Sequence, residues 1–118
     1  MRPFLLLAIL GLSIFSSSCN THKVQSGQAV RIKIVMKKYS IQPQTIRLKR
    51  GQPVTLEVST ADVEHGFEVE ELKIDEPVQP GKPAIIEFTP QQAGDFRMNC
   101  DIICGPMHDS MEGRIIVE

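Results

Sequence analysis

Residues 95–117 read DFRMNCDIICGPMHDSMEGRIIV. Both ends of this stretch alternate apolar and polar side chains, which is typical of strands with one buried face. Between these ends a loop carries Cys100, Cys104, His108 and Met111 at spacings of four, four and three. Packing alone does not explain four such side chains in one short loop. Thiolate, imidazole and thioether are ligands that select copper over hard cations, so the loop predicts a copper site.

A further candidate ligand lies upstream in DVEHGF, residues 62–67. By itself, His65 is more simply explained as a structural histidine. Together with the loop it favours ligation, because it completes a set of two cysteines, two histidines and one methionine. That set has enough ligands for two copper ions.

Alternating segments recur along the rest of the chain, separated by turns that contain Gly or Pro. Outside the stretch quoted above they occupy residues 30–35, 45–49, 54–58, 67–69 and 84–88. Short strands at such intervals predict an all-β fold, with antiparallel strands in a sandwich or barrel. No long segment has a helical period.

The beginning of the chain resembles an export signal. An apolar run at residues 4–15 is too short to span a bilayer comfortably. SSSC at residues 16–19 resembles a lipoprotein signal, in which Cys19 becomes the acylated first residue. An ordinary cleaved signal or an uncleaved anchor are the alternatives. The expected organisation is a signal peptide (1–18), a flexible polar tether (19–28) and one folded domain (29–118).

If Cys19 is acylated, Cys100 and Cys104 are the two remaining cysteines. Export favours a disulfide between them, whereas the nearby histidine and methionine favour metal binding. A reversible disulfide in the metal-free protein is compatible with both.

The formal net charge is only −1, but the charge is unevenly distributed. Every charged residue in the range 23–50 is basic, and in the range 57–76 all except Lys73 are acidic. Solvated strand faces explain most of this pattern. Alternatively, acidic residues near the metal steer a basic redox partner. The chain has no Trp and no interleaved aromatic and basic residues, so nucleic-acid binding is not expected.

These motifs resemble a CuA domain of the cupredoxin superfamily, similar to the soluble domain of cytochrome c oxidase subunit II and to the CuA domain of nitrous-oxide reductase. The resemblance runs from about residue 39 to residue 117 and depends most on the paired-cysteine loop. It implies a cupredoxin-like Greek-key β-sandwich of about seven to eight strands.

The resemblance also implies a dinuclear copper centre with two bridging thiolates, one imidazole for each copper, a weak axial thioether and one backbone carbonyl. These ligands would be Cys100 and Cys104, His65 and His108, Met111, and the carbonyl of Ile102. Respiratory oxidases usually carry Glu where this chain has Ile102, and a Trp-containing patch that it lacks. A stand-alone, lipid-anchored protein therefore fits better than a standard oxidase subunit.

The implied function is electron transfer rather than catalysis. A c-type cytochrome or similar donor would supply one electron, and a terminal oxidase or reductase would accept it. No Ser-His-Asp set, catalytic carboxylate pair or phosphate-binding loop argues for an enzyme. The expected location is the periplasm or extracytoplasmic face, with attachment to a membrane through the lipid on Cys19.

Three alternatives use overlapping residues. A mononuclear cupredoxin would use Cys104, His65, His108 and Met111 and leave Cys100 idle. A copper chaperone would deliver its metal to an oxidase. A structural zinc site would use the two cysteines and the two histidines, although Met111 and the spacing speak against it.

Overall fold

A computed structural model describes residues 28–118. The predicted signal peptide, the predicted acylation site at Cys19 and nearly all of the predicted tether lie outside the described residues. Within residues 28–118, no helix has the length and apolar character that crossing a bilayer requires.

The described part of the chain forms nine strands and two short 3-10 turns. The strands are β1 (Val30–Lys37), β2 (Ser40–Gln42), β3 (Thr45–Leu48), β4 (Val54–Thr60), β5 (His65–Val69), β6 (Ile74–Val78), β7 (Ala84–Phe88), β8 (Gly94–Cys100) and β9 (Glu112–Val117). The 3-10 turns are Glu70–Leu72 and His108–Ser110. The predicted all-β fold is therefore confirmed.

The strands form two sheets that face each other. One sheet has the order β2-β1-β4-β7 and the other β3-β9-β8-β5-β6. Five of the seven strand pairings in the described chain are antiparallel, but β1 with β4 and β3 with β9 are parallel. The predicted antiparallel pairing therefore holds for most of the strand pairs. The two parallel pairs join strands that are distant in sequence, so no tight hairpin sets their direction.

Two strands were not predicted from the sequence. β2 has only three residues, too few to show an alternating pattern. β6 contains Pro77 and lies at the edge of its sheet, where a residue without a backbone N–H is tolerated.

Inward-facing side chains of both sheets fill a single apolar core. Phe67, Leu56, Val58, Met98 and Ile115 are all fully buried. This core fixes the strand ends from which the candidate ligands project.

One end of the sandwich collects the candidate ligand segments. His65 begins β5, Cys100 ends β8, and Met111 immediately precedes β9. Because β1 runs parallel to β4, with Val30 opposite Val54 and Met36 opposite Thr60, the start of β1 lies at the other end of the domain. The chain therefore joins the folded domain far from the candidate metal site.

Candidate metal centre

His65 is held in one orientation by its neighbours. It is 0 % exposed, and its Nε2 atom lies 2.8 Å from Asp62 Oδ1. Its other ring nitrogen, Nδ1, lies 3.8 Å from Cys100 Sγ. If Nε2 carries the proton, its N–H donates a hydrogen bond to Asp62 and the lone pair of Nδ1 points toward the thiols. A carboxylate behind a metal-binding histidine usually fixes the ring in this way.

Asp62 is itself held by backbone groups. The N–H of Lys38 donates to Oδ2 at 2.7 Å, and the N–H of Val63 donates to Oδ1 at 2.7 Å. Burial alone would raise the pKa of Asp62, but the hydrogen bonds from Lys38, His65 and Val63 outweigh it and hold the pKa well below its ordinary value. Asp62 is therefore a carboxylate at neutral pH, able to accept a hydrogen bond from the imidazole N–H.

The two cysteines of the loop are free thiols near His65. Cys100 is buried and Cys104 half-buried. Their Sγ atoms and a ring nitrogen of His65 all lie within 4.8 Å of one another. Burial raises the pKa of the Cys104 thiol, and the adjacent Cys100 raises it further, while the charge of Lys38 opposes the increase. Without a metal the thiol of Cys104 therefore keeps its proton.

Met111 and the backbone carbonyl of Ile102 contact the two thiols. The thiol of Cys104 donates to Met111 Sδ at 3.5 Å, and the thiol of Cys100 donates to the carbonyl oxygen of Ile102 at 3.1 Å. Met111 is fully buried. The structure thus places both predicted weak ligands in contact with the thiols.

His108 approaches the site from the 3-10 turn that precedes β9. Its Nε2 atom lies 3.4 Å from Oδ1 of Asp109, which is fully exposed. Its Nδ1 atom is buried and has no hydrogen-bond partner among the described residues. His108 stands outside the tight group of His65 and the two thiols. A buried ring nitrogen without a partner is what an absent metal ion would leave.

Gly66 makes room for the cysteine loop. A Cβ atom at this position would lie 1.6 Å from Asp101 Oδ1 and 2.9 Å from Ile102 Cγ1. The backbone N–H of Asp101 also donates to the Gly66 carbonyl oxygen at 3.3 Å. The loop therefore lies directly on the strand that begins with His65, which brings the ligand segments together.

A separate group, made of three acidic side chains, lies beside the loop. Carboxylate oxygens of Glu68, Asp75 and Asp101 lie within 4.8 Å of one another. Burial and a hydrogen bond with Asp75 raise the pKa of Asp101. This acidic group shares no residue with the group of His65, Cys100 and Cys104, and its hard oxygen ligands suit magnesium, calcium or manganese better than Cu(I).

Sequence reasoning did not identify Lys38 or Tyr39, which follow β1 and reach the same end of the domain. Neither belongs to a recognisable ligand pattern, and only the parallel pairing of β1 with β4 brings them to the site. Asp62 lies three residues before His65, a spacing that is a possible sequence signal for a supporting carboxylate.

The side chains present fit a copper site. Two thiols, a thioether and Nδ1 of His65 lie together at one end of the sandwich. The buried, unpartnered Nδ1 of His108 belongs to the same loop as the thiols. This donor set is soft to borderline. When bound, copper would supply one-electron redox chemistry.

Comparisons with known proteins agree with the fold. The family model of the cupredoxin-like domain matches residues 5–117. Cytochrome c oxidase subunit 2 of Thermus thermophilus is 32% identical over 80 residues, which cover 68% of this chain and 59% of that protein. Nitrous-oxide reductase of Ralstonia nicotianae is 29% identical over 99 residues, which cover 80% of this chain and 15% of that protein. The chain therefore spans less than two thirds of either relative.

Among solved structures, the periplasmic domain of cytochrome oxidase subunit II from Bradyrhizobium japonicum superimposes with a TM-score of 0.70 at 20% identity. The alignment covers 79% of this chain and 87% of that domain. The shared fold and the homology to the two relatives confirm the resemblance noted in the sequence.

Proposed function

The chain belongs to the cupredoxin-like domain family, and on that premise we propose that it is an electron carrier with a dinuclear copper centre of the CuA type. The convergence of both thiols with His65 is the observation that carries this proposal. A mononuclear site needs one thiolate. A second thiol in the same cluster allows two metals to share both sulfurs.

In this proposal each candidate residue has a distinct role. Cys100 and Cys104 bridge the metals, and His65 and His108 each bind one of them through Nδ1. Met111 and the carbonyl oxygen of Ile102 are the weak outer ligands. Asp62 orients His65, and the strands that flank the loop keep the ligands in place as the oxidation state changes. Little rearrangement favours fast electron transfer over bond chemistry.

Copper stoichiometry together with an EPR spectrum tests the proposal. The oxidised, copper-loaded protein is expected to hold two coppers that share one unpaired electron, with a seven-line hyperfine pattern. Cys100→Ser is expected to abolish this centre. One copper with a four-line pattern, unchanged in Cys100→Ser, would instead establish a mononuclear cupredoxin.

A copper chaperone is the second candidate function. Cys104 is half-buried rather than enclosed, and the thioether of Met107 on the same loop is 57% exposed, so soft ligands are accessible to a partner. A chaperone would release Cu(I) to an acceptor protein within minutes, whereas a carrier would retain it through repeated redox cycles. A chelator-competition time course separates the two.

The surface around the loop supports the proposal that the binding partner is a redox protein. Ile103 is 83% exposed and Met107 57% exposed, and they lie on the loop beside His108. Exposed acidic residues, Asp101 and Asp109, lie on the same loop. An apolar patch with an acidic rim fits a basic donor such as a c-type cytochrome, and a terminal oxidase or reductase would accept the electron.

Stopped-flow reduction of the copper-loaded protein by a soluble, basic c-type cytochrome tests this surface. Ile103→Ser should lower the second-order rate constant, and added salt should lower it further. Ile85→Ser is the matched control, because Ile85 is 55% exposed but lies on β7 rather than on the loop. Equal effects of the two variants would contradict the proposed docking surface.

We also propose that the protein is exported and held on the extracytoplasmic side of a membrane by a lipid on Cys19. The support is the apolar run and SSSC sequence that precede the domain. Cell fractionation of Cys19→Ser tests the anchor. The variant should move from the membrane to the soluble fraction, and continued membrane association would refute lipidation at this residue.

A further inference from the structure

One side chain outside the candidate ligand set lies directly against the ligand loop. Tyr39 is the single tyrosine of the chain and is half-buried. A Cβ atom at Gly105 would lie 2.4 Å from the Tyr39 hydroxyl oxygen and 3.2 Å from two of its ring carbons. The tyrosine ring therefore occupies the space into which a side chain at position 105 would project, so glycine is the residue that fits there.

Gly105 controls the direction of the loop. It follows Cys104, and its carbonyl oxygen accepts a hydrogen bond from the N–H of His108 at 3.2 Å. Its φ of +152° is a conformation that other residues rarely adopt. A contact that fixes Gly105 therefore also fixes the turn between a candidate thiolate ligand and a candidate imidazole ligand.

The residue before Tyr39 is tied to the other ligand segment. The backbone N–H of Lys38 donates to Asp62 Oδ2 at 2.7 Å, and Asp62 Oδ1 lies 2.8 Å from His65 Nε2. Lys38 and Tyr39 are consecutive, yet one contacts the support of His65 and the other contacts the cysteine loop. They connect two segments that are distant in sequence.

We propose that Tyr39 is a positioning residue that, together with the Lys38 backbone, sets the separation between His65 and the turn from Cys104 to His108. This inference depends on the metal centre proposed above. Tyr39 does not touch the metal in this proposal. It restricts the motion of the ligand loop in the metal-free protein. The ligands are therefore already in position when copper binds, and the loop loses less conformational freedom on binding.

Three variants of the full chain test this role. Tyr39→Ala is expected to bind Cu(I) about 10- to 100-fold more weakly, as loss of an outer support of a metal ligand typically does. Tyr39→Phe keeps the ring and is expected to bind like the native protein. Phe96→Ala is the matched control, because Phe96 is also a half-buried aromatic but lies near the opposite end of β8. It should lower stability without changing copper affinity.

NMR of the metal-free protein supplies a readout that does not depend on copper. In Tyr39→Ala, but not in Phe96→Ala, the amide signals of residues 104–108 should shift or broaden. A double-mutant cycle with Gly105→Ala adds a direct test of the contact. Gly105→Ala should weaken Cu(I) binding by a smaller factor in the Tyr39→Ala background, where its Cβ no longer meets the ring.

The possible failures are distinguishable. Unchanged loop amides in Tyr39→Ala, or additive effects in the cycle, would overturn the positioning role even if the native protein binds two coppers. If the native protein binds no copper, the proposed function fails, and the amide signals still decide whether Tyr39 holds the loop.

Discussion

Replacing Asp62 with alanine removes the carboxylate behind the buried His65. In the native chain the two side chains meet at 2.8 Å, and His65 is fully buried. Asp62 also accepts hydrogen bonds from the backbone N–H groups of Lys38 and Val63. In Asp62→Ala the Nε2 atom of His65 loses its partner, and its ring is free to turn away from the thiols.

The expected loss of stability follows from the burial of each donor. A buried polar group without a partner costs about 1–3 kcal/mol, and this applies to the ring nitrogen of His65. The backbone N–H groups lie near solvent, where water replaces the carboxylate, so they add little. Since 1 kcal/mol corresponds to about 4–8 °C in a domain of this size, the metal-free variant should melt roughly 5–20 °C below the native protein.

Thermal unfolding of the metal-free protein, followed by circular dichroism, measures this effect. Cu(I) competition should also show affinity reduced about 10- to 100-fold. Asp109→Ala is the matched control, because Asp109 pairs with His108 at 3.4 Å but is fully exposed; its melting temperature should not change measurably. Equal losses in the two variants, or a native melting temperature for Asp62→Ala, would refute the reasoning.

Three further predictions follow from local packing and charge. Gly66→Ala should destabilise the domain by about 1–3 kcal/mol, the range for overpacking, because its Cβ would meet both the exposed Asp101 carboxylate, which is able to move, and the Ile102 side chain. Denaturant titration should show partial recovery when Asp101→Ala is added. Met111→Leu should cost less than about 1.5 kcal/mol yet alter the visible spectrum of the copper-loaded protein, whereas Met98→Leu, also buried, should leave the spectrum unchanged. The folded-state pKa of Asp62 lies below its ordinary value of 3.8. The ionised carboxylate therefore contributes its full stabilisation above that value, and this stabilisation is lost as the pH falls below about 4. Denaturation at several pH values should show a smaller acid-induced loss of stability for Asp62→Asn than for the native protein, and an equal loss would contradict this.

The long strands were predictable because their sequence pattern is local. β1 and β4 alternate inward apolar side chains with outward polar ones, so the burial of one face follows from the sequence alone. β8 could be predicted for the same reason, together with the loop that it leads into. The short β2 and the Pro-containing β6 lack this signal, and the parallel pairings depend on how the sheets face each other.

The ligand candidates were also predictable, whereas their supports were not. Cysteine, histidine and methionine are rare enough side chains that their clustering in one loop points to metal chemistry. Tyr39 and the Lys38 backbone carry no such signal, because their roles arise only when β1 lies beside β4. The contact of Gly66 with the loop is equally invisible in the sequence, since glycine at that position also fits an ordinary strand.

The thiols of Cys100 and Cys104 make hydrogen bonds that hold the candidate ligands close together without a metal. Cys104 donates to the sulfur of Met111, and Cys100 donates to the carbonyl oxygen of Ile102. Each proton lies between two atoms that are both candidate ligands. Metal binding would replace these protons and leave the heavy atoms converged, because strands on either side hold the loop. Copper affinity is then coupled to the release of thiol protons, and a site that rearranges little on binding also has little to rearrange when it exchanges an electron.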